Sequence, residues 1–127
     1  YSIGSGAPTA LPLDQRQLVR TVVSHVSQHF EGTFGSETIE RFVVDSLAQL
    51  LANRGVLYRR LGDPIKALET YAQALRLFER DRMVDGELGV INNRGIAMAL
   101  DLGDLRGARA SFSDALGRAR AAVSLEL

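Results

Sequence analysis

An all-α fold, a short solenoid of tandem antiparallel helical hairpins with one or two extra N-terminal helices, is predicted for this 127-residue chain by three observations. Apolar residues recur at three- and four-residue steps, with almost no alternating run that reads as a strand. A block of sequence returns further on with its small and aromatic residues in the same order. Glycine–aspartate pairs punctuate both copies where one helix must end and the next begin.

Residues 1–13 read as a flexible linker or tail, broken by Gly4, Gly6, Pro8 and Pro12. A first helix is expected from about Asp14, as N-cap, to Phe30. Leu18, Val19, Val22, Val23, Val26 and Phe30 form its apolar stripe. Four valines give it mediocre intrinsic helicity, so packing has to hold it. Residues 31–35, with Gly32 and Gly35, break the pattern. Ser36 is the expected cap of a second helix, and Glu37 favours its first turn through the dipole. Ile39, Phe42, Val43, Leu47, Leu50 and Leu51 line one face. No glycine or proline intervenes before Gly55, so one helix of roughly 36 Å is expected from Glu37 to Leu61. Residues 14–47 thus form an N-terminal helical segment continuous with the first helix of the repeat region, 48–127.

In that region Asn53-Arg54-Gly55 returns as Asn93-Arg94-Gly95, and Leu61-Gly62-Asp63 returns as Leu102-Gly103-Asp104. Ala67, Tyr71, Ala74 and Leu75 return as Ala108, Phe112, Ala115 and Leu116. The offset is 40 residues for the first group and 41 for the others, so the second copy carries one extra residue between its glycines. Gly55 and Gly95 lie inside helices, at about 1 kcal/mol each relative to alanine, which close helix approach explains. Gly62 and Gly103 end each first helix, Asp63 and Asp104 cap each second one, and Pro64 sits at N1. The expected hairpins are Leu50–Leu61 with Pro64–Met83, and Glu87–Leu102 with Leu105–Ser124, separated at Gly86.

At Leu51, Gly55, Tyr58, Gly62-Asp63, Ala67, Tyr71 and Ala74, then Gly95, Gly103-Asp104, Ala108, Phe112 and Ala115, the chain resembles a tetratricopeptide repeat protein of the long-repeat kind, over about residues 48–121. Arg54 and Arg94 depart from the leucine usual before the glycine, and the closing proline is missing in both copies. The resemblance implies protein-interaction function and a concave groove lined by the first helices, with Ala52, Val56, Arg59, Asn92, Ile96 and Ala99 on it. Upstream, Phe30-x-Gly32-x-Phe34 and Glu37 to Val43 are similar to the three-helix-bundle dimerisation segment of actinobacterial arsenate reductases. That likeness implies self-association and no reductase chemistry, since the chain has no cysteine. The join of two such segments through one helix also fits a recombined or engineered chain without an evolved function.

Composition excludes several other classes. Fifteen basic and fifteen acidic residues balance, which lacks the footprint of a nucleic-acid or membrane-surface binder. No apolar run is long enough to span a bilayer. Absence of cysteine removes thiolate metal sites and thiol nucleophiles and fits a cytoplasmic, reducing setting. Fourteen arginines against one lysine fits a GC-rich bacterial source. No glycine run has a phosphate-loop spacing, and no nucleophile elbow accompanies Ser24, His25 and Asp45, so no catalytic residues and no enzyme activity are expected. His25 and His29, spaced i,i+4, are the weak candidates for a metal, but no third ligand beyond Glu31 is signalled, and no cofactor is expected. A small-molecule- or metal-sensing regulatory role built on that pair is the alternative function. Tyr58, Tyr71, Phe78 and Phe112 are expected in the core. The outer face of the last helix, at Phe112, Leu116 and Val123, is the expected edge for self-association into a dimer, because two repeats leave it without a neighbour. Other covers for it are the first helix or a protein or peptide partner.

Overall fold

A computed structural model describes residues 13–30 and 35–126, and among them the structure is helical with no strand. The helices are α1 (Leu13–Phe30), α2 (Ser36–Arg60), α3 (Pro64–Arg80), α4 (Val84–Ile96) and α5 (Leu105–Glu126). A π-helical turn, Ala97–Asp101, prolongs α4. Each helix packs on its neighbour in sequence: α1 on α2, α2 on α3, α3 on α4 and α4 on α5. The expected linker lies outside the described residues except for Leu13, which opens α1. The expected cap Asp14 therefore sits inside the first turn. Ser36 is likewise the first helical residue of α2, and extended Gly35 precedes it as N-cap without a side-chain bond.

The first hairpin holds most of the core. Val43, Val44, Ala48 and Leu51 of α2 meet Ala67, Tyr71, Ala74, Leu77 and Phe78 of α3, all buried, and Val19 of α1 joins them. Only the Val19–Val23–Val26 side of α1 turns inward; Leu18 and Val22 of the predicted stripe stay exposed. Gln15, also buried, donates from Nε2 to Oε1 of Gln73 at 3.3 Å and so ties α1 to α3. Tyr71 and Phe78 are 1% exposed, as expected of core residues. Tyr58 is half-buried beneath the Lys66 ammonium, 5.7 Å from the ring centroid. Phe112 departs from the core expectation at 40% exposed, one side against Gly95 and the other open.

The small residues do equivalent work in the two hairpins. A Cβ on Gly55 would stand 2.7 Å from Tyr71 Cδ1, and one on Gly95 would stand 2.6 Å from Phe112 Cε1. Tyr71 and Phe112 are the repeat-equivalent aromatics. Each ring lies flat enough on the facing helix that only hydrogen fits beneath it.

Corners between helices follow one hydrogen-bond scheme. Gly62, at φ +82°, lets its N–H bond Arg59 O at 3.1 Å and the Asp63 N–H bond Tyr58 O at 2.9 Å, a Schellman corner. The Asp63 carboxylate then accepts from the Lys66 N–H at 3.1 Å and caps α3, with Pro64 at its start. Asp104 caps α5 in the same manner, accepting from the Gly107 N–H at 2.8 Å. Between the copies the expectation fails. Gly86 does not separate the repeats but lies in the first turn of α4, where a Cβ would stand 2.6 Å from Phe78 Cγ. The break is at Arg82, φ 54°, whose N–H bonds Glu79 O at 3.2 Å while the Met83 N–H bonds Phe78 O at 2.9 Å. This is the same Schellman corner with arginine where glycine is usual, and nothing in the residue type announced it.

The extra residue of the second copy is absorbed as the π-helical turn. The Leu102 N–H reaches Ala97 O at 3.3 Å and the Asp104 N–H reaches Met98 O at 2.8 Å, each one residue further back than in the first corner.

Gly55→Ala is expected to destabilise by roughly 1–3 kcal/mol in urea melts, because buried Tyr71 has nowhere to move. Gly95→Ala is expected to be milder, since Phe112 opens to solvent, and Gly117→Ala, with nothing within 4 Å of its Cβ, to stabilise by about 1 kcal/mol. Arg82→Gly is expected to relieve the left-handed strain, adding up to about 1 kcal/mol and about 4 °C to the thermal midpoint.

Candidate functional site

The first helices of the two hairpins, α2 and α4, lie side by side over Phe78 and leave an open groove of about 230 Å³ between them. Its walls come from Gln49, Ala52 and Asn53 on α2 and from Asp85, Gly89 and Asn93 on α4, with Val90 and Phe78 below. Helical periodicity explains the pairing. Gln49 and Asn53 are four apart on α2, as are Asp85, Gly89 and Asn93 on α4, so each set forms a row along its helix. Asn53 and Asn93 are the same repeat position, so the groove carries two primary amides one repeat apart. Each amide both donates and accepts, the complement of an extended peptide backbone. Gly89, with nothing within 4 Å of a virtual Cβ, leaves the wall low between them.

The six residues anticipated for a groove are distributed differently. Ala52 lines it. Val56 and Ile96 are half-buried, and Val56 packs on the core. Asn92 is exposed one residue away from Asn93, a turn of about 100° that removes it from this wall. Arg59 is held in an ion pair with Asp101, across the far ends of the two first helices. Ala99, carried round by the π-helical turn, faces the other side of α4, beside Leu105, Phe112 and Leu116. The amides at 53 and 93 were visible as part of a repeated triplet; their register towards the groove was not.

Two polar networks fix the helices around this groove. At one end the Glu40 carboxylate pairs with Arg80, and Arg41 Nη2 donates to Asp81 O at 3.4 Å, joining α2 to the end of α3. Burial pushes the Asp81 carboxyl above its usual range, against the lowering effect of Arg80 and Arg41. The Tyr71 phenol is also raised by burial, with Arg59 lowering it and Asp101 raising it.

The second network explains Arg94, which departs from the leucine of the repeat pattern. Its Nε donates to Ser111 Oγ at 2.9 Å, and Ser111 Oγ in turn donates to Ile91 O at 2.9 Å. Arg94 Nη2 also reaches Asp114 at 3.3 Å. Arg118 completes the set, with Glu79 at 2.8 Å, Glu87 at 2.9 Å and Asp114 at 2.9 Å. One guanidinium thereby links α3, α4 and α5. Arg54, the equivalent of Arg94, stays exposed.

His25 and His29 are exposed on α1, their rings edge-to-face with centroids 5.8 Å apart. Among the described residues no group of three or more His, Cys, Asp or Glu side chains could hold a metal ion; Glu31 lies outside those residues. Residues 31–34 of the upstream motif lie outside them as well. No described helix is long and apolar enough to cross a membrane.

The family model described as tetratricopeptide repeat matches residues 46–121, more than half of the chain, and takes in both hairpins. No curated protein and no solved structure matches.

The network has a pH signature. Arg118's hydrogen bond, its charge and those of Arg94 hold the Asp114 carboxyl below its usual range despite burial. Its contribution to stability is therefore full above the unfolded carboxylate pKa of about 4 and is lost as pH falls through the lower folded value. Asp81, raised, contributes with the opposite sign. Urea melts of the parent and Asp114→Asn from neutral pH to pH 2 are expected to show a stability gap that closes on acidification.

Proposed function

Because the chain belongs to the tetratricopeptide repeat family, we propose that it is a non-catalytic protein-interaction module whose groove between α2 and α4 holds an extended segment of a partner protein. The observation that carries this reading is the pair of repeat-equivalent amides, Asn53 and Asn93, lining the groove above a floor of Phe78 and Val90. The family is one of protein-binding scaffolds, and the spacing of the amides by one repeat suits a peptide running across the helices. Asp85 adds a carboxylate to one wall and favours a partner carrying a cation there.

Dimerisation through Phe112, Leu116 and Val123 has the exposure it needs but not the charges. Arg109 and Arg120 share that stripe, and a two-fold axis through its middle sets the arginines of one copy against those of the other. The α1 helix does not cover the face either, since it packs at the opposite end of the array, on α2.

Panning displayed random peptides against the chain tests the groove. Enriched peptides are expected to lose roughly thirtyfold in affinity for an Asn53→Ala/Asn93→Ala double variant, two hydrogen bonds at about 1 kcal/mol each. Equal binding to parent and variant by calorimetry would remove the groove from the proposal.

A further inference from the structure

We propose a second docking surface, independent of the groove: the outer face of α5 takes an acidic amphipathic helix of a partner protein, laid on α5 as α4 is laid on α3. Leu105, Arg109, Phe112, Leu116, Arg120 and Val123 follow one another at steps of three and four and so form a single stripe along α5. Its apolar members are 72%, 40%, 51% and 57% exposed for Leu105, Phe112, Leu116 and Val123. Beside it an open groove runs between α5 and the π-helical turn, with Ala99 on the far wall.

The repeat itself supplies the template for what covers such a face. Phe112 and Leu116 are the equivalents of Tyr71 and Leu75 on α3. In the first repeat, with α4 stacked on α3, Tyr71 is 1% exposed and Leu75 packs on the core. A helix is thus the element this surface is shaped to receive, and a straight stripe with one adjoining groove fits a single helix.

Charge selects the kind of helix. Arg106, Arg109 and Arg120 are exposed, and none has a carboxylate partner among the described residues. No acidic residue interrupts the stripe between Leu105 and Val123. Apolar residues separated by cations call for leucines flanked by glutamates or aspartates, and they repel a second copy of α5 for the reason given above.

The test uses two synthetic amphipathic helices of about 20 residues, long enough to hold helix in water. Both carry one leucine stripe; one is flanked by glutamates, the other by lysines. Fluorescence anisotropy with the full chain is expected to show the glutamate peptide binding at least about tenfold tighter. Leu116→Asp is expected to abolish binding, and Arg109→Glu/Arg120→Glu to invert the preference towards the lysine peptide. Asn53→Ala/Asn93→Ala should leave it unchanged, which separates this surface from the groove. Absence of binding by either peptide, or equal binding of both, overturns the proposal. So does a parent that light scattering shows to be a dimer and Leu116→Asp to be a monomer, since the occupant is then a second copy.

Discussion

The architecture rests on a hydrogen atom where a methyl group would not fit. Gly55 beneath Tyr71 and Gly95 beneath Phe112 set how closely the two helices of each hairpin approach. α2 and α4, each seated on its second helix in this way, lie side by side. The groove between them, the ion pair of Arg59 with Asp101 and the corner geometry at Gly62 and Gly103 all inherit that seating. Glycine inside a helix gives up about 1 kcal/mol of propensity, and the buried ring area recovered on each side exceeds that.

Much of this was legible in the sequence because the determinants are local. Spacings of three and four fixed the helices, and the glycine–aspartate corners fixed their ends within a few residues. The doubled set of small and aromatic residues fixed the pairing of each hairpin. What escaped has a physical reason in each case. Arg82 adopts a left-handed backbone under constraint from both flanking helices, and arginine carries no signal for it. Gly86 looked like a break and is instead a contact beneath Phe78. Asn92 falls outside the groove wall because a helix face turns by about 100° per residue, and Ala99 because the π-helical turn rotates the end of α4. Arg94 looked like a lost leucine until Ser111 and Asp114 appeared beside it.

The extra residue between Gly95 and Gly103 shows how a repeat absorbs an insertion without lengthening a loop. The π-helical turn keeps Gly103 at a left-handed corner while rotating the end of α4. Asp101 then meets Arg59, and Ala99 joins the wall beside Phe112. The two repeats are alike in their close approaches and unlike in their outer faces. The first is closed by its neighbours, and the second stays open.

Stacking of each helix chiefly on its neighbours in sequence also governs how the molecule comes apart. Contacts that close over short stretches of chain form quickly, and α5 is packed chiefly on α4 and the π-helical turn. The hairpin around buried Tyr71 and Phe78 is sandwiched on both sides, whereas α5 is clasped on one side by Gly95 and Arg94 of α4 and by the carboxylates of Glu79 and Glu87. Amide hydrogens of α5 therefore exchange with solvent through a partial opening that leaves α2 and α3 intact, and a ligand seated on that helix slows their exchange before it changes the global melting point.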